Sequence, residues 1–184
     1  MASRPTPASG QDLCKACGLC CTGVWFSHVN LESAEFELAR NAGMQVQMVE
    51  GQPRAYQPCS LHRHGQCSAY HSWRPAACGE FRCRLLDHFT TGQIGFEQAL
   101  GHVNAARGMA ERIRAEVGNV AGGLLGPRFL SRLDPQAAPT EDDAPLPASS
   151  PTQLDAVALN RYYVRFFERE ADKRSKLPRV AGLD

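Results

Sequence analysis

The chain predicts a small, mainly helical α+β domain with short irregular strands organised around a cysteine-ligated metal centre. Three observations carry that expectation. Eight cysteines all lie between residues 14 and 83, an apolar stripe at helical spacing runs over about 93–117, and brief β-prone runs alternate with turn residues in the first half. The 184 residues fit one domain with room for tails. Hydrophobic residues at 43% and charged residues at 21% are enough for a core and exclude wholesale disorder.

Charge and hydropathy remove several function classes. Lys plus Arg number 20 against 19 Asp plus Glu, which leaves no electrostatic footprint for nucleic acid or an anionic membrane as partner. No apolar run approaches the roughly 20 residues of a membrane-spanning helix. Residues Met1 to Gln11 hold one Arg and no apolar stretch, so no secretory signal is expected and the protein reads as cytoplasmic. In a reducing compartment, thiols clustered this closely point to metal ligation or redox chemistry rather than disulfides.

In chain order, residues 1–12 are rich in Ser, Pro, Ala and Gly and read as a flexible arm, followed by a metal-binding region over 13–133. Val24 to Val29 is β-prone. Asn30 is a candidate N-cap for a helix over about 31–41, with Leu31, Ala34, Leu38 and Ala42 at helical spacing and Gly43 as its left-handed stop. Residues 44–58, with Gly51, Pro53 and Pro58, read as short strands with turns. Thr91 is the expected cap of the long helix, whose stripe is Phe96, Leu100, Val103, Ala106, Ala110, Ile113 and Val117. That stripe reads as core. Asp134 to Pro151 holds five prolines and four acidic residues and reads as a linker. Residues 152–184 then contain an aromatic amphipathic helix over about 153–174, capped by Thr152. It either docks on the core or binds a protein partner.

The first cysteine group is Cys14-Lys-Ala-Cys17-Gly-Leu-Cys20-Cys21, and the second is Cys59, Cys67, Cys78 and Cys83. Two cysteines separated by two residues let one turn aim both thiolates at one ion. Three on that spacing resemble the wrapping of a cubane iron–sulfur cluster. Adjacent residues point in different directions, so Cys20 and Cys21 cannot easily serve one small ion. They bind two metals or two edges of a cluster system, or one of them is a packing residue. The second group must supply what the first lacks. Five arginines (Arg54, Arg63, Arg74, Arg82 and Arg84) against one carboxylate, Glu80, over 54–84 would offset thiolate charge, or form a solvated basic face. Tyr70, Trp73 and Phe81 read as walls against water. His62, His64 and His71 read as exposed loop histidines, and His28, His88 and His102 receive no role.

The segments Cys14-x2-Cys17-Gly18-x-Cys20-Cys21 and Gly65-x-Cys67-x2-Tyr70-x3-Arg74-Pro75-x2-Cys78-x2-Phe81-x-Cys83 resemble the bacterial YkgJ-type cysteine-cluster family. This is the CxxCxxCC domain, described as zinc- or iron-chelating. The resemblance covers roughly residues 12–100. It implies metal binding by Cys14, Cys17, Cys20, Cys21, Cys59, Cys67, Cys78 and Cys83. The cofactor expected is an iron–sulfur cluster, [4Fe-4S] in form, or Zn2+. Some members are called iron–sulfur oxidoreductases, and the longer flagellin lysine methylases carry a similar cluster. No phosphate loop, zinc-protease helix or nucleophile elbow is present. The expected function is metal binding with an electron-transfer or oxidoreductase role. The alternative is a zinc-stapled interaction module or a metal-handling protein.

Overall fold

The computed structural model describes residues 8–118, residue 124 and residues 151–169. Among these, six helices and five short antiparallel strands divide between two hydrophobic cores. The linker over 134–150, and residues 170–184 of the C-terminal segment, lie outside the described residues. No helix among the described residues is long and apolar enough to cross a membrane.

Helix α1, Gly10–Cys17, starts inside the stretch expected to be a loose arm. Ser9 accepts from the Asp12 N–H while the Asp12 carboxylate accepts from the Ser9 N–H, a reciprocal capping box. Leu13 is the residue it buries. Strand β1, His28–Asn30, follows, and helix α2, Glu35–Asn41, begins four residues later than expected. Asn30 is not its cap, because β1 pairs with strand β3 (Gln52–Tyr56) and places Asn30 opposite Arg54. The expected stripe is also one residue out of phase: Glu35 and Ala39 are buried, whereas Ala34, Leu38 and Ala42 are exposed. Gly43 does adopt the left-handed conformation, at φ 86°. Strand β2, Val46–Val49, closes a hairpin with β3 through Glu50 and Gly51, both at positive φ, which gives sheet order β1-β3-β2. Strands β4 (His62–Arg63) and β5 (Gln66–Cys67) form a second, two-stranded ribbon. The smaller core, Leu31, Ala39, Met44, Ala55, Leu61 and Ala69, lies under these strands.

Helix α3, Ala76–Glu80, follows Pro75, whose carbonyl accepts from the Cys78 and Gly79 N–H groups. Helix α4, Arg84–Thr90, was not foreseen, and it takes Thr91 as its own C-terminal residue. The Thr91 hydroxyl donates to the Asp87 carbonyl. The long helix α5 therefore begins later, at Phe96, and runs to Val117 after Gly95. Ala99, Val103, Ala106, Ala110 and Ile113 are buried along it, while Phe96, Leu100 and Val117 are half-buried against the same core.

Helix α6, Pro151–Phe166, starts at the proline, whose missing N–H costs nothing in a first turn, so Thr152 lies inside the helix and is buried. Its aromatic face docks in cis. Ala156, Leu159 and Tyr163 join the larger core with Phe167, and Trp25 packs against Tyr163 and Phe167 at ring separations of 5.0 and 4.9 Å. Arg112 on α5 holds Asp155 through two hydrogen bonds of 2.7 and 2.6 Å. The helix end is tied to α4 as well, since the Arg84 N–H donates to the Phe167 carbonyl at 3.0 Å.

Candidate metal centre

The first cysteine group is half helix and half turn. Cys14 and Cys17 are three residues apart on α1 and so share a face. The helix stops at Gly18, φ 63°, and the chain turns back with the Thr22 N–H donating to the Gly18 carbonyl. This turn carries Cys20 and Cys21. A side chain at residue 18 would be strained by φ and would also strike His62, since a Cβ there falls 2.6 Å from Nε2. Helix α5 grips the loop at both ends: Arg107 donates to the Ala16 carbonyl at 3.0 Å and Arg114 to the Thr22 carbonyl at 2.5 Å.

The second group arrives from four different elements. The Cys59 N–H donates to the Cys21 carbonyl at 2.8 Å, which docks the two groups backbone to backbone. Cys67 stands opposite His62 in the ribbon. Cys78 sits in α3, whose N-terminus is held by buried Glu35: one carboxylate oxygen accepts from the Ala76 N–H at 2.7 Å and the other from the Glu32 N–H at 2.9 Å. Cys83 caps α4, its Sγ accepting from the Leu86 N–H at 3.4 Å.

All eight cysteines line one cavity of about 330 Å³. Trp25, Phe26, Tyr70 and Phe81 wall it, with Phe26 and Phe81 edge to face at 5.1 Å. Of the three expected shielding aromatics, Tyr70 and Phe81 serve there, while Trp73 packs against the smaller core. Trp25 and Phe26, read in sequence as strand residues, complete the wall.

Burial dominates the chemistry of the thiols. It pushes Cys17 and Cys21 up to about 12 and Cys78 and Cys83 up to about 11, and also raises Cys14, Cys20 and Cys59 above the ordinary 9.0. Neighbouring thiols add to the effect. These seven thiols are therefore neutral at pH 7, and a metal must displace their protons on entry. Arg74 opposes the rise at Cys14 and Cys78, and Arg82 opposes it at Cys14. Of the two, Arg74 lines the cavity, over the Tyr70 ring at 4.2 Å, whereas the Arg82 guanidinium is held by Asp87 and Thr90. Arg63 and Arg84 are bonded to backbone carbonyls, and Arg54 lies in the sheet.

The residues present fit a thiolate-bound metal. Among the described residues, three of the five buried side-chain atoms that have no hydrogen-bond partner belong to cavity-lining residues: Trp25 Nε1, Gln57 Oε1 and His62 Nε2. Two are ring nitrogens, able to donate to the sulfur-rich group such a cavity accepts. Among the described residues, no three His, Cys, Asp or Glu side chains converge on the position of a single ion.

The histidines need correction. His64 and His71 are exposed, as expected, but His62 is half-buried against Gly18, and burial lowers its pKa. His28, which received no role, also lines the cavity. His102 bonds the Tyr162 hydroxyl at 2.7 Å, away from the thiols. The alternation around Cys67 in a two-residue strand was the available signal for His62, and it is too short to read.

Residues 13–98 match a family model, CxxCxxCC, described as "Putative zinc- or iron-chelating domain". That stretch of the chain is similar to this family of cysteine-cluster domains, as the cysteine spacing led us to expect. No curated protein and no solved structure matches the chain.

Proposed function

We propose that the eight-cysteine cavity holds an iron–sulfur cluster and that the protein transfers electrons, alone or as part of an oxidoreductase. The observation that carries this reading is the gathering of all eight thiols around one cavity of about 330 Å³. Eight thiolates are more than the four sulfurs a single Zn2+ takes, and the run of three at two-residue spacing resembles the wrapping of a cubane cluster. When bound, the cluster supplies one-electron chemistry. The chain's own residues do the rest. Trp25, Phe26, Tyr70 and Phe81 exclude water, and Arg74 and Arg82 offset thiolate charge. Cys14 is the one exposed cysteine of the eight, which leaves an edge where an electron can enter.

The test is iron, zinc and acid-labile sulfide analysis with a visible spectrum on full-length protein purified without oxygen. Iron and sulfide in matching amounts, with a thiolate-to-iron absorption that bleaches on reduction, are expected. Zinc without sulfide would replace this reading with a zinc-stapled module.

A further inference from the structure

Resting on the metal-binding reading above, we propose that the eight cysteines form two four-thiolate centres, Cys14, Cys17, Cys20 and Cys83 in one and Cys21, Cys59, Cys67 and Cys78 in the other, joined through the Cys20–Cys21 peptide bond.

Packing draws this division. Cys17, Cys20 and Cys83 lie against the larger, helical core, whereas Cys59 and Cys67 lie against the smaller core under the strands. The boundary falls between two adjacent residues. Cys20 faces the helices, and the carbonyl of Cys21 is bonded to the Cys59 N–H on the strand side. Consecutive side chains diverge, so one small centre cannot readily take both. Two centres use the divergence. Their attachment points are then about 3.8 Å apart, one Cα-to-Cα step.

Position along the elements places the other two. Cys14 shares the α1 face with Cys17, and Cys78 sits in α3, whose N-terminus is held by Glu35 of α2, the helix that contributes Ala39 to the smaller core. Each set is a complete four-sulfur complement, which suffices for one [4Fe-4S] or [2Fe-2S] cluster or for one tetrahedral metal ion. The division therefore holds whichever metal is resident. It also assigns the second group a split duty: Cys83 serves the first loop, and the other three serve Cys21.

Paired substitutions test the assignment on the full chain. Metal per chain is measured in the wild type, in Cys20→Ser with Cys83→Ser, and in Cys20→Ser with Cys78→Ser. The first pair lies in one centre and is expected to keep half the wild-type metal. The second pair breaks both centres and is expected to keep none. Equal loss in the two pairs, or complete loss from Cys83→Ser alone, would overturn the division. Because a variant can fail to fold, the wild type is also stripped of metal and titrated with Co2+, followed by thiolate-to-cobalt absorption. A break at two equivalents is expected, and a break at one would overturn the proposal. A chain that takes up neither native metal nor cobalt would instead overturn the metal-binding reading itself.

Discussion

The helical and strand regions of this chain reach stability by different means. Among the described residues, sixteen buried residues from α1, the loop after it, α4, α5 and α6, with Leu124 and Phe167, form the helical core, which includes Trp25 and Tyr163. The strand region buries six, three of them alanines. Apolar burial contributes roughly 25 cal/mol per Å², so large aromatics stabilise the first region far more than small side chains stabilise the second. Cys59 and Cys67 lie against this smaller core. A region with little core leans on its ligands.

Removing the metal should separate the two regions most strongly. On the order of 10 kcal/mol accompanies structural metal binding to small thiolate domains. Hydrogen exchange of the metal-free protein is therefore expected to lose protection over β1 to β5 and α3 while α5 and α6 remain protected. Uniform loss across both regions would break the comparison.

The metal-free state should also be sensitive to alkali. Four of its native thiols, Cys17, Cys21, Cys78 and Cys83, are held at about 11 to 12, against 9.0 in an exposed chain, so the folded form keeps protons that the unfolded form releases. That contribution is whole below about pH 9 and is lost as pH rises toward 11 to 12. Denaturant midpoints measured from pH 8 to 11 should fall for the metal-free protein, and should fall less for the metal-loaded one.

Within the helical region, Phe167→Ala is expected to cost about 3–5 kcal/mol, because the ring is almost fully buried against Trp25. Chemical denaturation would measure it, with metal content per folded chain little changed. On the strand side, Glu35→Ala removes the acceptor that holds α3 and its Cys78. The expected cost is smaller, about 1–3 kcal/mol, with weaker metal retention under competition by a chelator.

The same contrast explains what could be read from the sequence. The thiols, the long helix, the β2–β3 hairpin and the left-handed Gly43 follow from local signals: spacing, periodicity and turn residues. Errors arose where a distant partner decided. Asn30 would cap a helix in isolation, but pairing with Arg54 takes it into a strand. The phase of α2 is set by Glu35 reaching α3, so a carboxylate is buried where an apolar residue was expected. Thr91 closes α4 rather than opening α5. The start of α1 was local, in Ser9 and Asp12, but was hidden by the Ser- and Gly-rich composition around it. The docking of α6 on α5 is a tertiary fact, beyond the reach of spacing.

The central claim, a metal-loaded chain whose thiolates act as two centres, is met most directly by native mass spectrometry of the full-length protein prepared without oxygen. The account predicts two mass increments of equal composition on one chain, released one after the other under increasing activation. A single increment, or a bare chain mass, would contradict it.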